Sequence, residues 1–129
     1  MRALLDTSAF LWHVTAGGER VPEHVRLVIG DPANEILVST ASAWEIAIKA
    51  ERGRLELPAP AERYVPYLVE RYGFDVLPIS LSHALRAGSL PPHHRDPFDR
   101  LLIAQAQIEG LSVVTPNVDF ARYDVAVLW

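Results

Sequence analysis

Asp6, Glu45, Asp96, Asp99 and Asn117 lie far apart in the chain but at comparable places, each just after an apolar run or near the start of a helical one. Asp6 follows Leu4-Leu5, and Glu45 is the only charged residue between Ile36 and Ile48. Asp96 and Asp99 stand ahead of Leu101-Leu102-Ile103, and Asn117 follows Val113-Val114-Thr115, with Asp119 two residues on. Carboxylates gathered at one point repel, and one takes up a proton unless a cation sits among them. Oxygen donors without thiolate favour Mg²⁺ or Mn²⁺ over zinc. Such an ion suits in-line displacement at phosphorus and needs neither a histidine nor a serine nucleophile. The candidate metal ligands are therefore Asp6, Asp99, Glu45 and Asn117, and the candidate catalytic acids Asp6, Glu45, Asp99 and Asp96.

Each of these residues also has a plainer explanation. Asp6 and Asp96 suit helix N-caps, and Asp99 suits the first turn, where the helix dipole favours an anion. Glu45 could close a capping box with Ser42 or pair with Lys49 one turn on. Asn117 is a good turn residue. His93-His94 beside Asp96 reads as an exposed loop after two prolines. Arg95 and Arg100 offer either phosphate contacts or local salt bridges.

Something must carry these side chains to one place. Asp96-Pro97-Phe98-Asp99 has the grammar of a helix start, with a cap followed by proline at the first helical position. The run continues to Ala106, and Gly110 ends it. Leu4-Leu5, Ile36-Leu37-Val38, Val76 to Ile79, Ser112 to Thr115 and Val125 to Leu128 read as strands, the second with both faces covered. Pro78 suggests an edge position for the third. Helices are expected after Asp6, from Pro22 to Ile29, after Ser39-Thr40 to about Arg52, from Glu62 to Tyr72, and from Ser80 or Ser82 towards Leu90. Pro66 should kink or split the fourth of these. Trp12 and Trp44 sit in apolar helical runs and are expected in the core. Strands alternating with helices argue for a parallel sheet between helical layers. In such sheets ligands gather beyond the carboxyl ends of the strands, where strand order reverses.

The chain has 129 residues, enough for one domain over residues 1–129 that buries roughly two thirds of its unfolded surface. No apolar run is long enough to span a bilayer, so no membrane role is expected. The first acid at position 6 leaves no room for a signal-peptide core. No cysteine is present, which fits a reducing cytoplasm. Sixteen acids against twelve bases give a net charge of −4, with Lys49 the only lysine. Phosphate affinity rests on clustered positive charge. A chain of this balance therefore acts on a polyanion only where metal ions or local arginines reverse the sign of the site.

Leu4-Leu5-Asp6-Thr7-Ser8, Ser42-Ala43-Trp44-Glu45-Ile46, Asp96-Pro97-Phe98-Asp99-Arg100-Leu101-Leu102-Ile103-Ala104-Gln105-Ala106, and Val113-Val114-Thr115 with the tail Tyr123 to Trp129 together resemble the PIN-domain ribonucleases. Within that family the likeness is closer to the VapC-type toxins of toxin–antitoxin pairs. It covers essentially the whole chain, with the motifs in the right order. The resemblance implies a PIN-like three-layer α/β/α sandwich with a central parallel sheet and Mg²⁺- or Mn²⁺-dependent endoribonuclease activity. It also implies a cytoplasmic homodimer, an RNA substrate and a cognate antitoxin that blocks the site. Asp6, Glu45 and Asp99 match the family's acidic positions. Where relatives carry a fourth aspartate this chain has Asn117, with Asp119 displaced.

Other classes fit less well. A haloacid-dehalogenase-type phosphatase wants a second aspartate at position 8, which is Ser8, and a receiver domain wants a lysine near its last strand. The remaining alternative is a non-catalytic RNA- or partner-binding α/β module whose acids are helix caps.

Overall fold

Alternation in the first strand decides the layering. In β1 (Arg2–Leu5), Ala3 and Leu5 join one hydrophobic cluster, while Leu4 joins another on the opposite face. The same division recurs in β2 (Glu35–Ser39), where Ile36 and Val38 oppose Leu37. β4 (Ser112–Val114) repeats it with Val114 against Val113. Strands apolar on both faces need cover on both faces, which a parallel sheet obtains from crossover helices.

The computed structural model describes residues 1–129. In chain order, α1 (Thr7–Val14) and α2 (Glu23–Gly30) separate β1 from β2. After β2 come α3 (Thr40–Glu51), α4 (Ala61–Tyr72) and the short β3 (Asp75–Leu77). α5 (Leu81–Ser89) and α6 (Pro97–Glu109) precede β4, and β5 (Val127–Leu128) ends the sheet. All pairings are parallel, in the order β3-β2-β1-β4-β5. Phe10, Val25, Ile29, Val65 and Leu68 place α1, α2 and α4 on one face; Ala87, Leu102, Ile103 and Ala106 place α5 and α6 on the other. α3 contributes to both, through Ile46 and Ala41. The result is the expected α/β/α sandwich with β3 at an edge.

β1 is central, flanked by β2 and β4, and strand order reverses beside it: β2 and β3 build outward one way, β4 and β5 the other. The carboxyl end of β1 is therefore the place where the crossovers part and leave a crevice. Asp6 is the next residue.

Three local expectations are corrected. α4 continues through Pro66 as one helix. The bond it forgoes is to the Glu62 carbonyl in the first turn, on an exposed face where water can take its place. Trp44 is not core: it is 57% exposed. α3 turns its Ile46 side to the sheet, and Trp44, two residues away, faces outward. The last strand is shorter than expected, because Val125 is turned back by a bond from its N–H to the Tyr123 carbonyl. Trp12 is half-buried between Trp129 and Arg20, whose guanidinium carbon lies 3.8 Å from its ring centroid.

Candidate metal centre

Asp6 does two things at once. Its Oδ1 accepts the Ala9 N–H at 2.7 Å, the expected cap of α1, and its Oδ2 accepts the Thr115 hydroxyl at 2.5 Å. Its own N–H donates to the Val114 carbonyl, continuing the β1–β4 ladder one residue past the strand. The carboxylate is only 4% exposed. Burial pushes its pKa up to about 6; the bonds from Thr115 and Ala9 oppose the rise, and the nearby Glu45 charge adds to it.

Glu45 is buried in the second turn of α3 and faces α1. Its Oε1 accepts the Thr7 hydroxyl at 2.6 Å, and its Oε2 takes the Lys49 ammonium at 2.5 Å. The ion pair with Lys49 is thus present. The capping box with Ser42 is not, because Ser39 caps α3 and the Ser42 hydroxyl lies 2.9 Å from that of Thr7, whose single proton goes to Glu45. Ser42 and Glu45 share a helix face at i and i+3, and both meet the first residue of α1.

Asp96 caps α6, accepting the N–H groups of Phe98 and Asp99 on one oxygen. Asp99, one turn in, is largely buried and lies 2.6 Å from His94 Nε2. Its pKa is also pushed up to about 6, chiefly by burial, then by Asp96; His94 opposes the rise and Asp6 adds to it. Asn117 holds a local turn, its Oδ1 accepting from the Asp119 N–H, and its amide nitrogen lies 3.4 Å from His94 Nε2. Asp119 supplies only that N–H.

Asp6, Glu45 and Asp99 therefore lie within electrostatic reach along one chain of influence, Glu45 on Asp6 and Asp6 on Asp99. Asp96 supports it from the cap, and Asn117 meets the group through His94 rather than through an acid. No three Asp, Glu or His side chains converge tightly enough to form a complete cage on their own. The donor set nevertheless fits a hard divalent ion. It is all oxygen, desolvated, and short of positive charge. Mg²⁺ in particular takes one or two carboxylates and completes its shell with water and substrate phosphate.

Five further residues, Thr7, Ser42, His94, Arg100 and Thr115, support the site. Thr7 and Thr115 orient Glu45 and Asp6, and Ser42 anchors Thr7. Thr115 had a usable signal, being the polar end of a strand beside the central one. His94 had none to separate it from His93, which packs on Tyr123 instead. Arg100 binds neither phosphate nor acid. Its guanidinium donates to the carbonyls of Ala87, Leu90, Pro91 and His94, tying the end of α5 and the following loop to α6. Through the His94 carbonyl it fixes the loop that lays the imidazole on Asp99.

Comparison with known proteins bears on the family and the fold. A family model described as PIN domain matches residues 3–126. Ribonuclease VapC16 of Mycobacterium tuberculosis is 46% identical over 59 residues, covering 46% of this chain and 40% of that protein's length. The fold superposes on VapBC2 from Rickettsia felis, bound to a DNA fragment from its promoter, with a TM-score of 0.75 at 16% identity, covering 100% of this chain and 99% of the other. For FitAcB from Neisseria gonorrhoeae the TM-score is 0.68 at 20% identity, with 98% and 96% covered.

Proposed function

This chain belongs to the PIN domain family, and from that premise we propose that it is a divalent-metal-dependent endoribonuclease serving as the toxin of a toxin–antitoxin pair. One observation carries the reading: Asp6, at the switch point of the sheet, is buried beside a second and a third carboxylate, and it and Asp99 both have pKa values raised to about 6. Caps alone do not require this. A capping carboxylate works at the surface, and Asp99 is not itself the cap of α6.

Asp6, Asp99 and Glu45 would hold Mg²⁺ or Mn²⁺. When bound, the ion supplies positive charge to the phosphate in the transition state and acidifies water at the site. The protein's part is positioning. Thr115 and the Ala9 N–H fix both oxygens of Asp6, and Thr7 and Lys49 fix both of Glu45. Asp96 holds the helix start that presents Asp99, and His94 orients its carboxylate. Asn117 steadies the turn beyond β4 and is an auxiliary oxygen donor at most.

The same carboxylates give a partner its handle. An antitoxin that places an arginine fork among them occupies the ion's position with matched charge and geometry. The reading includes a homodimer and a cytoplasmic location; no helix of the chain is long and apolar enough to cross a membrane. The test is cleavage of RNA with and without Mg²⁺ or Mn²⁺, with Asp6→Asn and Asp99→Asn beside the parent.

A further inference from the structure

The acids are only one side of this surface. A cleft of about 380 Å³ opens between the C-terminal half of α3 and the loop entering α6. It is lined by Lys49, Arg52, Arg54 and Arg95, with Glu45 and Asp96 at the same wall. Four bases against two acids give the cleft a formal charge of +2, in a chain whose net charge is −4. Lys49 is paired with Glu45, but Arg52, Arg54 and Arg95 are exposed and form no ion pair. Guanidiniums left without a protein partner, in an acidic molecule and beside the candidate centre, are the local sign reversal a polyanion needs.

An aromatic edge accompanies the charge. Phe98 lines the cleft, and the exposed Trp44 stands edge-on to it with ring centroids 5.2 Å apart. Trp44 and Ile48 lie one turn apart on a single stripe of α3, and Arg52 follows at its C-cap. The indole faces outward because α3 turns its Ile46 side to the sheet, and its free face is left open beside Phe98. Basic side chains tracking a backbone beside an aromatic plate for a base are the means by which proteins hold single-stranded nucleic acid.

We propose that this cleft binds single-stranded RNA flanking the bond to be cut, with Arg52, Arg54 and Arg95 on successive phosphates and Trp44 stacked on a base. The proposal rests on the nuclease reading above and adds to it the path of the substrate. An acidic protein segment would satisfy the arginines but leave the indole without a role, so RNA is the better fit.

The test uses the full chain carrying Asp99→Asn in EDTA, titrated against a short fluorescently labelled single-stranded RNA over a KCl series, with anisotropy as readout. Arg52→Ala with Arg54→Ala should flatten the slope of log affinity against log salt by about 1.4, from roughly 0.7 per phosphate contact. Trp44→Ala should weaken binding roughly 5- to 150-fold, the equivalent of about 1–3 kcal/mol per stacked base, and leave the slope unchanged. Arg63→Ala with Arg71→Ala, on α4, should change neither. The proposal is overturned if the cleft variants bind like the parent, if the α4 pair weakens binding equally, or if the cleft variants lose only capture of a protein partner. Cleavage by the otherwise unaltered chain with Mg²⁺ or Mn²⁺, run in parallel, separates the two ideas. Intact cleavage with cleft-independent binding sinks the RNA path alone, whereas absent cleavage sinks the nuclease reading beneath it.

Discussion

Asp99→Asn should make the metal-free protein more stable. In the unfolded chain this carboxyl titrates near 3.8, and in the fold near 6, so its ionisation is disfavoured by the native structure. The difference corresponds to about 3 kcal/mol at a pH above both values. Asparagine resembles the neutral acid and escapes that cost. Against it stands the favourable helix-dipole interaction of a carboxylate in the first turn of α6, worth about 0.3–1 kcal/mol; the bond to His94 is already contained in the shift. Desolvation wins, leaving a net gain of about 2 kcal/mol, or roughly 6–10 °C in Tm for a chain of this size. The sign fixes the pH course. A raised native pKa means stability present below about 3.8 is lost as pH rises through about 6, so the advantage of the variant should grow over that window and then level off. Thermal melts followed by circular dichroism in EDTA at about pH 4, 6 and 7.5, spanning that window, measure it directly. Mg²⁺ or Mn²⁺ should then raise the parent's Tm more than the variant's, by linkage. A variant that melts lower than the parent at the highest pH would leave Asp99 a dipole residue only.

Thr115→Val should push the Asp6 pKa above its present value of about 6, because the hydroxyl bond it removes favours the ionised form. The acid limb of the pH–rate profile should therefore move to higher pH, and a profile that stays in place would contradict the positioning role. Arg100→Ala strands carbonyls at the end of α5 and should cost at least about 2 kcal/mol in urea denaturation; a cost below about 0.5 kcal/mol, the scale of ordinary surface substitutions, would show that water replaces the guanidinium. Co-expression with a candidate antitoxin should give a stable, inactive complex. Inhibition that survives replacing every basic residue in the partner's C-terminal segment would exclude an arginine or lysine among the acids.

The architecture was legible because it rests on local signals. Asp96-Pro97 and Gly110 bracket α6 as their backbone preferences require, and the αL conformation of Gly73 ends α4 in the same way. Asp6 stands out because it directly follows a buried strand, although its type there also suits the cap of α1 that it forms. What the sequence could not supply was side-chain direction and long-range pairing. Trp44 and Ile46 are equally apolar, and only the sheet beneath α3 decides which one is buried. Thr7 reaches Glu45 across 38 residues, and Thr115 reaches Asp6 across 109. His94 meets Asp99 from a loop that Arg100 ties to α6, a tertiary arrangement no spacing rule encodes.

If Asp6 and Asp99 hold the ion for RNA cleavage, the purified chain incubated with total RNA and Mg²⁺ or Mn²⁺, beside Asp6→Asn and Asp99→Asn proteins shown by circular dichroism to be folded, will reveal it. Expected are cleavage by the parent, none in EDTA, and a loss of at least about 10²-fold in each variant, the scale of removing one electrostatic group from a transition state. Cleavage that persists in EDTA, or in either folded variant at the parent's rate, would contradict that role.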